Sequence, residues 1–220
     1  MGIKQVESGL RPQTADNLSL DVGLVIANGA IEELWDYTDP LTVVDRLRET
    51  EWIDPLGQPQ KPYKAGATQG GIDYDPKISQ RQVEVDGRRA NIRELWRVDM
   101  IEPTIKMNFL ESRDPDLMQK AHGAADRTRV GYYERIKPRL TVEDTDFWWN
   151  LVIIQFVSGQ PLPMLYIIQN PHVSSTEAFG QKDKGETILP VTVTGNNTLE
   201  DPLGDLWQCA EVWVPSQYGS

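Results

Sequence analysis

Hydrophobic and polar residues alternate along much of this chain with a period of two, the spacing of a strand that buries one face. The longest such stretch spans residues 72–111. Residues 72–86 read as an extended segment running toward a turn signal at Val83-Glu84-Val85-Asp86-Gly87, and residues 92–111 read as its returning partner. Within the return, Ile105-Lys106-Met107-Asn108-Phe109-Leu110 puts apolar side chains on one face and polar ones on the other. Gly66-Ala67-Thr68-Gln69-Gly70-Gly71, just before, reads as a flexible hinge or turn. Residues 18–27, 188–194 and 207–214 carry further strand patterns. In residues 130–143, Tyr132, Ile136, Leu140 and Val142 share one parity and Arg135, Lys137, Arg139, Thr141 and Glu143 the other, which predicts one buried and one wet face. Residues 147–157 are apolar on both parities and face residues 164–169 across Ser158-Gly159-Gln160-Pro161, the pattern of a buried hairpin.

Two short helices interrupt this pattern. Asp39-Pro40 supplies a cap and a first-turn proline, after which Leu41, Val44, Leu47 and Arg48 recur at helical spacing. Asp114-Pro115-Asp116 opens the second, with Leu117, Met118 and Ala121 on one face and Gly123 as the stop. Residues 54–62 hold three prolines and a glycine and read as an irregular loop. The expected fold is mainly β: an antiparallel β-sandwich or partly open barrel with one or two flanking α-helices, as one domain over residues 1–220. A polar N-terminal arm, residues 1–17, and an extended loop, residues 36–64, stand out from it.

Composition narrows the function. A net charge of −11 argues against gripping nucleic acid, which takes a basic surface that neutralises phosphates. The longest apolar run, residues 147–157, is too short to span a bilayer, and residues 1–7 lack the apolar core of a signal peptide, so synthesis in the cytoplasm is expected. Cys209 is the single cysteine, which leaves no internal disulfide or thiolate metal cluster, and its apolar neighbours suggest an inert strand position. His122 and His172 lack metal-ligand spacing, and the Gly66–Gly71 segment lacks the Lys and following helix of a phosphate loop.

Two carboxylate pairs come closest to a chemical signal. Asp73 and Asp75, and Asp144 and Asp146 near Trp148 and Trp149, could in principle line a glycosidase cleft or a calcium site, but aspartates at strand ends are commonly turn formers. Arg81, Arg88, Arg89, Arg93 and Arg97, interleaved with Glu84, Asp86 and Glu94, make a basic concentration: either a solvated strand face or a patch that meets the acidic surface of a neighbouring subunit. No catalytic, cofactor-binding or metal residue is assigned.

Gly66-Ala67-Thr68-Gln69-Gly70-Gly71, Val85-Asp86-Gly87 and the closing Asn108-Phe109-Leu110-Glu111 together resemble the major tail tube proteins of long-tailed phages, of the siphophage type. The resemblance covers about two thirds of the chain and includes the opening strand and the helix after Glu111. It implies a structural subunit that forms hexameric rings, with sheets joining into a closed barrel. The rings would stack around a tape measure protein between tail terminator and distal tail proteins, in the virion tail, as a conduit for DNA ejection. Tail terminator or distal tail protein is the alternative within that class. Six copies at −11 apiece would carry about −66, a wall that repels DNA rather than binding it. Ring closure is expected in residues 83–86, 93–110 and 130–143, and stacking in residues 3–17 and 36–64.

Overall fold

The computed structural model describes residues 24–31, 40–54, 57–66, 68–86, 90–110, 114–156, 162–177, 188–197 and 209–215. The predicted arm at 1–17 and part of the 36–64 loop lie outside them. The first strands are β1 (Leu24–Ala27), β2 (Trp52–Ile53), β3 (Pro59–Gln60), β4 (Tyr63–Lys64), β5 (Thr68–Asp75) and β6 (Ile78–Gln82). Then come β7 (Trp96–Ile101), β8 (Thr104–Phe109), β9 (Ala125–Val130), β10 (Tyr133–Pro138) and β11 (Asn150–Gln155). The last are β12 (Met164–Gln169), β13 (His172–Thr176), β14 (Leu189–Thr194) and β15 (Ala210–Trp213). Helix α1 is Pro40–Glu49 and α2 is Pro115–Ala121.

Two antiparallel sheets form the body, one of five strands in the order β15-β12-β11-β1-β4 and one of four in the order β13-β14-β8-β5. The five-stranded sheet is buried on both faces. Val25, Leu151, Ile153 and Ile168 turn toward Ile105, Met107, Phe109, Val191 and Val193 of the other sheet, while Ile26, Val152, Ile154 and Ile167 pack with Val43 and Leu47 of α1. This double burial is why residues 151–154 are apolar on both parities. The four-stranded sheet is covered on one face only, so Lys106 and Asn108 alternate outward between Ile105, Met107 and Phe109. Helix α2 adds Leu117 and Ala121 to the shared core; Asp114 caps it by accepting from the Asp116 N–H at 2.9 Å, and Gly123 follows its end at φ +73°.

Several expectations change here. The glycines at 66–71 are no hinge, for β5 begins at Thr68 and Gly71 (φ +90°) sits where the register to β8 shifts between Thr68 and Ile72. Such a bulge takes the conformational freedom that the glycines provide. Residues 72–86 and 92–111 each divide between two strands, broken opposite one another at Pro76 and Pro103, which have no N–H to give the ladder. Residues 83–86 form no strand, and Arg93–Leu95 is a turn of 3-10 helix. The predicted irregular loop at 54–62 holds β3, which pairs with β2 just before it in a small hairpin. Buried Asp54 ties it, accepting from the Gln58 N–H at 2.7 Å and Gln60 Nε2 at 2.8 Å. The two sheets remain open, and no closed barrel occurs among the described residues.

Candidate assembly interface

Beyond the proline break, the paired strands of the long hairpin leave the sandwich. Inside it, β5 pairs β8 and both take part in the four-stranded sheet; outside, β6 and β7 pair only with each other. The crossing point is an Asx turn in which Asp75 Oδ1 accepts from the Lys77 N–H at 3.0 Å, with Lys77 at φ +40°. The register shifts between Ser79 and Gln80, so Trp96 and Val98 share one face of this ribbon while Met100, opposite Ser79, lies on the other with Arg81 and Arg97; Trp96 and Met100 are 46% and 55% exposed. Arg81 Nε donates to Asp99 at 2.6 Å. Of the predicted basic concentration, Arg81 is thus paired within the ribbon, while Arg88 and Arg89 lie outside the described residues. A two-stranded ribbon is marginal alone in water, and here apolar side chains on both of its faces meet solvent.

Residues 125–138 make a second projection. The alternation at 130–143 predicts a strand with one buried face. Instead β9 and β10 form a hairpin through the two-residue loop Gly131-Tyr132, with Gly131 at φ +63° and Val130 opposite Tyr133. Within β10 Ile136 is half-buried on the side of Arg127 while Arg135 and Lys137 are exposed, but Tyr132 and Leu140, expected to share the buried face, are fully exposed. The usable signal was Gly131 between two alternating runs, with a strand pattern beginning upstream at Ala125.

The base of this hairpin is fastened by Arg139. Its guanidinium donates to Asp126 at 2.8 Å, to Glu143 at 2.9 Å, to the Thr141 carbonyl at 3.1 Å and to Asp146. Asp146 also accepts from the Glu143 N–H at 2.8 Å. Burial would raise the Asp146 carboxyl, but that N–H and the guanidinium outweigh it and hold the group below its ordinary value. On the α2 side, Arg127 pairs with Glu134 at 3.2 Å and with Asp116. Lys120 donates to the Thr145 and Phe147 carbonyls at 2.6 and 2.7 Å, 5.6 Å from the ring centre of Trp148, and burial lowers its pKa to about 8.

The residues weighed for chemistry fall into structural roles. Asp144 and Asp146 lie on a short 3-10 helix, and the Asp146 carboxylate meets Arg139 and the Glu143 N–H. Trp148 is buried and donates to the Tyr63 hydroxyl, and Trp149 meets Trp52 edge-on at 6.2 Å. His172 bonds the Gly123 carbonyl at 2.8 Å, and His122 that of Met118 at 2.7 Å, so both secure α2. Cys209 is buried, which raises its thiol. Asp73 and Asp75 stand exposed on the outward face of edge strand β5. Among the described residues no cluster of three or more His, Cys, Asp or Glu could hold a metal ion, and no helix is long and apolar enough to cross a membrane.

Of fourteen large hydrophobic residues exposed among the described ones, residues 78–100 carry five, residues 130–133 of the second hairpin three, and Leu140 and Val142 just past its base two. Exposed apolar surface is therefore concentrated on and beside the two projections rather than scattered.

No protein-family model and no curated protein sequence matches this chain. Among solved structures, a chain of the cryo-EM structure of the anti-feeding prophage (AFP) baseplate, 6-fold symmetrised, aligns with a TM-score of 0.36 at 11% identity. The alignment covers 80% of this chain and 90% of that one. A score that low carries no inference about fold or function.

Proposed function

We propose that this protein is a non-enzymatic structural subunit of a phage tail tube, assembling as stacked hexameric rings around a tape measure protein in the virion tail. The observation that carries the reading is the gathering of exposed apolar side chains on and beside two hairpins that no other part of the described chain covers. Open sheet edges at β4, β5, β13 and β15 add unpaired backbone groups, which invite pairing with another chain. A ring of identical copies covers both kinds of surface at once, because each heterologous contact supplies its neighbour with the face that it lacks. The tail tube resemblance in residues 66–111 supplies the kind of assembly, and the acidic chain suits a passage along which DNA slides without binding. Tail terminator and distal tail proteins would be its neighbours at the two ends of the tube.

Negative-stain microscopy of the concentrated, purified protein tests this directly. Rings or tubes are expected. Rings that never stack would move the assignment to a tail terminator or distal tail protein, and isolated particles at every concentration would defeat it.

A further inference from the structure

The β9–β10 hairpin carries a charge pattern that its own subunit leaves unanswered. On the face turned away from Arg127 and α2, Asp126, Thr128 and Val130 stand opposite Lys137, Arg135 and Tyr133, and Asp126 is held by Arg139. Arg135 and Lys137 share this face and are exposed, and among the described residues neither has a carboxylate within ion-pair distance. Of the cations at the base and on the inner face, Arg127 and Arg139 are ion-paired, and Arg129 stands exposed opposite Glu134. Because the hairpin has only two strands, the outer edge of β10 offers backbone N–H and C=O groups to a further strand.

A complementary pattern lies on β5. This strand is the edge of the four-stranded sheet and, at eight residues, the longest described strand. Ile72 and Tyr74 pack inward, so Asp73 and Asp75 point outward from the same face. Residues two apart on a strand stand about 6.5–7 Å apart, so the Asp73/Asp75 spacing equals the Arg135/Lys137 spacing. The remaining sheet edges fit less well: β4 has two residues and no acid, β13 carries no acidic residue, and β15 carries a single one, Glu211. A chain of net charge −11 also supplies its own best acidic partner.

We infer that β10 of one copy adds to the β5 edge of a second copy, with Arg135 and Lys137 against Asp73 and Asp75. The four-stranded sheet then continues from subunit to subunit through the hairpin, and the Arg139 clamp sets the angle at which the hairpin is offered. The inference rests on the assembly reading above and names the surfaces that carry it. Exposed Tyr132 and Tyr133, at the hairpin tip, would be covered by the neighbour's sheet end.

The test uses the full chain and a charge exchange. R135E/K137E and D73K/D75K each turn two attractions into two repulsions, about tenfold in affinity per pair and so about a hundredfold together. The chain with all four substitutions restores the pairs with their signs exchanged. Association is read by light scattering and sedimentation, with near-ultraviolet circular dichroism to confirm folding. Loss of association in both double variants and recovery to within about threefold of the natural chain in the fourfold variant supports the inference. Unchanged association in either double variant, or no recovery in a folded fourfold variant, overturns it while the tail tube reading stands. Duplex DNA binding that R135E/K137E abolishes while self-association persists also overturns it, making the hairpin a nucleic-acid contact. A natural chain that never associates would defeat the tail tube reading itself and this inference with it.

Discussion

Replacing Asn150 by alanine removes a side chain that serves as a rung of backbone in the middle of the fold. Asn150 is buried on β11; its Nδ2 donates to the Gly29 carbonyl at 2.9 Å, and its Oδ1 accepts from the Gly29 N–H at 2.8 Å. These bonds join positions 121 residues apart and set the bend by which the chain leaves β1 toward α1. Water has little room to replace them: a Cβ on Gly29 would stand 3.0 Å from Leu47 Cδ2 and 3.3 Å from Val152 Cγ2. Alanine strands the buried Gly29 N–H, at about 1–3 kcal/mol, and removes one of two donors to the Gly29 carbonyl, which keeps the Ile31 N–H at 3.0 Å, so a loss of about 1–4 kcal/mol is expected. Asn150→Asp keeps the acceptor but sets a carboxylate oxygen against the Gly29 carbonyl, a contact relieved only when the acid is protonated. Its folded-state pKa therefore lies above its unfolded value. The variant should stand nearest the natural protein below about pH 4 and lose ground as pH rises through the raised folded value. Urea unfolding of dilute protein at pH 4 and pH 7.5 measures both, with exposed Thr128→Ala as a control expected within about 0.5 kcal/mol. A cost under about 1 kcal/mol for Asn150→Ala, or an Asn150→Asp variant insensitive to pH, would refute the account.

Three further outcomes follow from the structure. Gly195→Ala would place a Cβ 2.6 Å from Ile168 Cγ2 and 2.8 Å from the Cys209 carbonyl, so a loss of about 1–3 kcal/mol is expected in thermal unfolding; an unshifted midpoint would contradict it. Asp146→Asn should destabilise at neutral pH, and because the natural carboxyl is held below its ordinary value, the difference from the natural chain should shrink as pH falls through that lowered value. Parallel melting curves from pH 7 to pH 3 read it, and a constant difference would sink the Arg139 clamp. Trp96→Ser with Met100→Ser should leave monomer stability within about 0.5 kcal/mol, since both side chains face solvent, while assembly seen by microscopy is impaired; normal tubes would remove the outer ribbon from the interface.

The buried parts of the fold were legible where local rules decide them. Pro40 and Asp114-Pro115 mark the starts of the two helices, β11 and β12 lie within the 147–157 run and residues 164–169, and Ile105, Met107 and Phe109 face inward as their spacing requires. The projections were legible only in part. Two prolines facing each other across a hairpin cannot be recognised before the register is known, so the break between β5–β8 and β6–β7 was invisible. Strand β13 was missed because His172-Val173-Ser174-Ser175-Thr176 is polar apart from one valine; it earns its place through pairing with β14 and a bond from Thr176 to the Ala121 carbonyl. Asp146 read as half of a possible catalytic pair because its true partner, Arg139, reaches it only once the short 3-10 helix has formed.

By itself, the order of residues determined that this chain is rich in strands, that two short helices interrupt them, and that its net charge is acidic. Those properties depend on neighbours a few positions apart and on composition. Only the tertiary structure decided which faces are covered, because alternation states that two sides of a strand differ and leaves open whether anything lies against either. Residues 151–154 are enclosed between a sheet and α1, whereas the same apolar chemistry at Tyr132, Leu140 and Met100 is left in solvent. Burial is a property of what packs against a surface, and that partner is set by the path of the whole chain.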